Sequence, residues 1–137
     1  MKLLIETERA TLHYLPNTNA ILLTWLKVAD ADTYKHLFTQ GLTHIRVNNA
    51  NSWISDIRNE GVIGTDLSVW LKTEIIPKAI ELGLKRIAIV MDPDVFKKFY
   101  VNNIKKDVTD GGIKFMEHFD SLEKAQKWIM EKDKALA

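Results

Sequence analysis

The chain has 137 residues, 46% of them apolar and 27% charged. That is the size of one domain, with apolar surface enough to offset the entropy of ordering it. Lys plus Arg number 19 against 18 Asp plus Glu, a net charge of +1, which sets aside the basic field of a nucleic-acid binder. The absence of cysteine excludes disulfides, thiolate catalysis and Cys-ligated metals.

The N-terminal run Leu3-Leu4-Ile5 is too short for a signal-peptide core, and no later stretch has the apolar length of a membrane span. The expectation is a cytoplasmic protein with no integral membrane segment. The chain shows no repeat, low-complexity tract or linker, so residues 1–137 read as one domain.

Leu3–Glu6 is a short strand. Ala10–Leu15 and Ala20–Leu26 flank the turn sequence Pro16-Asn17-Thr18-Asn19 and read as a hairpin. The near-continuous apolar run Ile21–Leu26 suits a central strand covered on both faces. Asp30 or Asp32 then caps a helix in which Tyr34, Leu37, Phe38, Gly41, Leu42 and Ile45 recur at spacings of three and four. Ser52–Ile57 is the next strand, and Arg58–Gly64 a glycine-containing loop.

Thr65 or Asp66 is placed to cap a second helix carrying Leu67, Trp70, Leu71, Ile75, Ile76, Ala79 and Ile80, which stops at Gly83. Pro77 within it removes a hydrogen bond and predicts a kink or break. Arg86–Met91 is a buried strand. Asp92 caps a helix with Pro93 at its first position and Phe96, Phe99, Tyr100 and Ile104 on its inner face. The clusters Lys97-Lys98 and Lys105-Lys106 read as solvated faces. Gly111-Gly112 precede a last strand, Ile113–Phe119. A final helix capped by Asp120 or Ser121 turns Leu122, Ala125, Trp128 and Ile129 inward. The order β-β-β-α-β-α-β-α-β-α predicts an α/β fold: a mixed, mainly parallel sheet with an N-terminal antiparallel hairpin and about four flanking helices.

This element order over roughly residues 10–130, with segments such as Ile87-Ala88-Ile89-Val90-Met91-Asp92, resembles the SpoIIAA-like, or STAS, fold. It is closest to small stand-alone bacterial SpoIIAA-like proteins, a group also compared with SEC14-type lipid carriers. In anti-sigma-factor antagonists of that fold, an Asp-Ser-Ser-Gly loop presents a phosphorylatable serine at the start of the second helix. The matching stretch here, Ile54–Ser68, lacks that motif. Thr65 and Ser68 are the hydroxyls nearest the place where the resemblance implies phosphorylation.

Several constellations invite chemistry. The loop Gly61–Asp66 runs from a strand end into a helix start, where backbone N–H groups favour an anion and where open α/β sheets hold ligands. Its plainer reading is a turn shaped by Gly61 and Gly64. Asp92-Pro93-Asp94 has the Asp-x-Asp pattern that starts Mg²⁺-dependent phosphatases, with a nucleophile and a general acid. Val95-Phe96 replace the small residues expected next, and a capped helix explains the tripeptide without chemistry. Asp56 and Asp92, at neighbouring strand ends, form a second candidate Mg²⁺ pair, without the adjacent acids and lysine of a receiver domain. His36 and His44 are eight residues apart, roughly 80° out of alignment on a helix, and His13 and His118 complete no ligand set. No metal or cofactor is expected.

The chain carries Trp25, Trp53, Trp70 and Trp128. Trp70, Leu71 and Ile75 on the proline-containing helix serve either as core, as an interface, or as the lining of a greasy cavity. The leading expectation is a non-enzymatic regulatory or binding module acting through a partner protein or as a homodimer. Its proposed surface is Gly61, Gly64, Thr65, Asp66, Ser68, Trp70, Leu71 and Ile75, with Trp70→Ala weakening association and leaving the fold intact. The alternative is a carrier or sensor of a lipophilic ligand held between helix 65–82 and the sheet, touching membranes. A phosphatase-like enzyme at Asp92 is the third.

Overall fold

Strands β3 (Ala20–Trp25) and β4 (Ser52–Asp56) lie at the middle of a six-stranded mixed sheet, where the central apolar run was expected. The computed structural model describes residues 1–61, 63–92, 105, 106, 108, 109 and 111–136. β1 (Lys2–Glu6), β2 (Ala10–Leu15) and β3 form an antiparallel meander. β3, β4, β5 (Arg86–Val90) and β6 (Phe115–Phe119) then run parallel, and the spatial order is the chain order, β1 to β6.

Local chemistry fixes the connections. The β2–β3 turn closes on Asn19, whose left-handed φ of 50° is one asparagine tolerates, and Tyr14 donates its hydroxyl to Asn19 Oδ1 at 2.7 Å. Helix α1 (Ala31–Asn48) takes Asp30 as its cap: the carboxylate accepts from the Thr33 N–H at 2.7 Å. That bond holds the Asp30 carboxyl below the usual range. The helix ends on Asn49 in the left-handed region, with the Ala50 N–H returning to Ile45 O.

A constant direction of travel from β3 to β6 puts every right-handed crossover on the same face. α1 and the helical segment 65–81 accordingly bury Ile21, Leu23, Trp25, Trp53, Ile87 and Ile89 on one side, and Val108 and Ile113 from the β5–β6 connection join them. Helix α4 (Leu122–Leu136) follows β6 and covers the opposite side, where Ala125 and Ile129 meet Leu22, Ile54, Ala88 and Val90.

Segment 65–81 is one helical run of three pieces: α2 (Thr65–Trp70), a π-turn (Leu71–Ile75) and α3 (Ile76–Glu81). The expected kink is realised as this change of winding. Pro77 cannot donate to the carbonyl four residues back, and the Ile76 N–H instead reaches Leu71 O, five residues back. The cap differs from expectation. Gly64 occupies it with extended backbone and no side-chain bond, and Thr65 and Asp66 are the first helical residues. Four strands are shorter than read: Leu26, Ile57 and Met91 fall beyond the ends of β3, β4 and β5, and β6 begins at Phe115 because the Ile113 N–H closes a turn onto Val108 O. Among the described residues the helices are α1, the 65–81 run and α4, and Lys105, Lys106, Val108 and Thr109 are also helical. The helix expected after Asp92, with Phe96, Phe99, Tyr100 and Ile104, lies outside the described residues.

His44 on α1 gives the fold a pH dependence. Burial, and secondarily Lys2, hold its imidazole below the ordinary value of 6.5. The unfolded chain therefore takes up this proton first, so stability is full above that value and falls as pH drops through the lowered one. His44→Gln is expected to flatten that loss, read as urea midpoints at about pH 7.5 and about pH 5.5. An unchanged slope would assign the dependence elsewhere.

Candidate functional site

The carboxyl ends of β3, β4 and β5 release the connections where open α/β sheets concentrate ligand contacts. At the end of β4, Asp56 is buried and Arg58 folds back on it, with Nη2 at 2.6 Å from Oδ2 and Nε at 3.0 Å from Oδ1. Asp56, with Asp92 as a lesser influence, raises the guanidinium's pKa. This bidentate pair occupies the carboxylate proposed to share Mg²⁺ with Asp92. Asp92 itself is exposed, and Pro93 and Asp94 lie outside the described residues. Among the described residues no three His, Asp or Glu side chains gather as a metal site.

Gly61 has a left-handed φ of 79°, and a Cβ there would stand 2.7 Å from Val28 Cγ2. Glycine is required on both counts. Gly64 has ordinary backbone and open space around it, so only the first of the two shapes a close approach. Thr65 and Asp66 are exposed, whereas Ser68 is buried. Of the two hydroxyls named for phosphorylation, Thr65 alone faces solvent.

Trp70, Leu71 and Ile75 part company. The Trp70 ring meets Tyr34 edge-on at 6.3 Å, and Lys35 Nζ sits 5.6 Å from its centroid, so the indole is half-buried against α1. Leu71 lines an apolar cavity of about 70 Å³ between the 65–81 run, α1 and the sheet, together with Phe38, Trp53, Ile57, Ile63 and Ile89. Ile75 is core and borders a smaller void of about 30 Å³ that Trp53 also lines.

Two polar residues in the larger cavity's wall were not singled out from the sequence. Ser55 is 7% exposed and accepts the Trp53 indole N–H at 2.7 Å; Glu60 is 7% exposed. Trp53 and Ser55 are two apart on one strand and share a face, so a serine at an inward position was the readable signal. Glu60 had none, since a glutamate in a turn is ordinarily solvated.

The connections leaving β3 and β4 carry half-exposed aliphatics: Leu26 at 46%, Val28 at 57% and Val69 at 49%. No helix among the described residues is long and apolar enough to cross a membrane. No protein-family model matches this chain, and no curated protein matches it.

Proposed function

We propose that this chain is a non-enzymatic binding module of the SpoIIAA-like kind, working in the cytoplasm through a partner protein or a second copy of itself. The observation that carries the reading is the exposure of aliphatic side chains on the connections leaving β3 and β4: Leu26 and Val28 on the first, the latter against Gly61, and Val69 on the second, which also carries exposed Thr65 and Asp66. Exposed aliphatic side chains on these two connections, with a hydroxyl and a carboxylate on the second, fit a small apolar interface with a polar edge. Thr65 is the one hydroxyl of the pair placed to be modified, and added phosphate beside Asp66 would alter that edge's charge.

The carrier reading is less well supported. A cavity of about 70 Å³ is half the roughly 150 Å³ of an apolar cavity that takes up benzene, too little for a lipid chain. In the Asp56 and Asp92 pair, Arg58 holds the Asp56 carboxylate, and Asp94 of the phosphatase reading lies outside the described residues.

A photo-cross-linking residue at Thr65, expressed in cells, is expected to yield an adduct that the same residue at exposed Lys124 on α4 does not. An adduct of twice the chain's mass identifies a second copy, and any other mass a partner protein. Equal labelling at both positions, or none at Thr65, would remove this surface.

A further inference from the structure

The cavity beneath Leu71 has a feature that packing alone does not require. Ser55 lies on its wall at 7% exposure. The serine oxygen accepts the Trp53 indole N–H at 2.7 Å, yet its own hydroxyl proton reaches no acceptor among the described residues. A buried donor left unspent costs the fold free energy. Around it the wall is apolar, with Phe38, Ile57, Ile63, Leu71 and Ile89. Glu60 also borders the space but has an interaction of its own, so the site is built without it. A water taking the Ser55 proton would bring two protons that need acceptors in turn, and an aliphatic wall supplies none.

From this geometry we infer that the cavity binds a small molecule that accepts a hydrogen bond and donates none, its acceptor on Ser55 and its carbon end under Leu71. Size narrows the class. The cavity of about 70 Å³ is half of one that takes up benzene, so it holds about three non-hydrogen atoms. A two-carbon aldehyde has that size, a single carbonyl acceptor and no donor to leave unpaired. So small a ligand binds no tighter than about millimolar, and the site therefore responds only where the compound accumulates. Leu26, Val28, Thr65, Asp66 and Val69 take no part in the cavity's lining, so this site stands or falls independently of the partner reading.

The test is an NMR titration of isoleucine methyl groups with acetonitrile, with xenon as a purely apolar probe of the same space. Acetonitrile stands in for the aldehyde because it has the same number of non-hydrogen atoms, one acceptor and no donor, and does not react with lysine. In the wild-type chain, acetonitrile is expected to shift Ile57, Ile63 and Ile89 saturably, and benzene, too large for the space, is not. Ser55→Ala is expected to weaken acetonitrile about five-fold, the worth of one hydrogen bond, while leaving xenon binding unchanged. That unchanged xenon response also reports that the variant keeps its cavity. Leu71→Phe, which grows a side chain into the space, is expected to abolish both responses with the fold retained. Acetonitrile shifts that do not saturate, saturable benzene, equal acetonitrile affinity in wild-type and Ser55→Ala, or acetonitrile binding that survives Leu71→Phe would each overturn the proposal. Loss of xenon together with acetonitrile in Ser55→Ala would overturn it too, since the serine would then shape the cavity rather than bind in it.

Discussion

Gly41→Val is expected to cost about 3 kcal/mol of stability and to lower Tm by about 10 °C. Gly41 sits in the apolar stripe of α1 directly over Trp53, and a Cβ there would stand 2.3 Å from Trp53 Cη2 and 2.7 Å from Cζ3. The ring cannot yield freely. Phe38 stacks on it at 5.7 Å, and its indole N–H is bonded to Ser55. The cavities of about 70 and about 30 Å³ that it lines allow a partial shift, at the expense of that hydrogen bond. The gain in helix propensity from losing a glycine is below about 1 kcal/mol and does not offset the clash. The origin is checked by a double-mutant cycle with Trp53→Leu: without the ring, Gly41→Val should cost less than about 1 kcal/mol. Simple additivity in thermal melts would show that the ring is not what glycine accommodates.

That contact illustrates which parts of this molecule are legible in its sequence. Gly41 was readable as part of the helical stripe, because a period of 3.6 is a local property; that it faces Trp53 is set by how α1 crosses the sheet. The buried strands β3 and β5 were readable because strands covered on both faces become continuous apolar runs. Pro77 announced a disturbance, since its missing N–H is a property of the residue. Which turn absorbs it depends on the neighbours, and the π-turn at Leu71–Ile75 lies before the proline. The cap of that run was misplaced by one residue for a related reason: Gly64, Thr65 and Asp66 all suit a cap chemically, and the backbone, extended at Gly64 and helical from Thr65, decides among them. A cavity beneath this helix was the alternative reading, and of its expected lining Leu71 borders the larger void and Ile75 the smaller. A void is a shortfall of volume summed over several elements, and no short stretch of sequence records it.

The same distinction governs Trp70. Read as a surface anchor, it should be replaceable by alanine with little effect on the fold. Its edge-on contact with Tyr34 and the Lys35 ammonium over its face tie the 65–81 run to α1, and Tyr34 in turn stacks on the buried Trp25 at 5.5 Å. Trp70→Ala is therefore expected to cost about 2 kcal/mol, less than the 3–5 kcal/mol of a fully buried aromatic because the indole is half-exposed. Trp70→Phe keeps a ring edge against Tyr34 and should lose under about 1 kcal/mol. Urea midpoints measured at constant slope separate the two. Loss of association in Trp70→Ala would then report a loosened helix as much as a lost contact, and the surface is better probed through Val69→Asp, an exposed position where the stability change should stay within about 0.5 kcal/mol. A midpoint for Trp70→Ala equal to wild type would mean that the ring contributes nothing to docking this helix, and would return Trp70 to the exposed surface as an anchor for a partner.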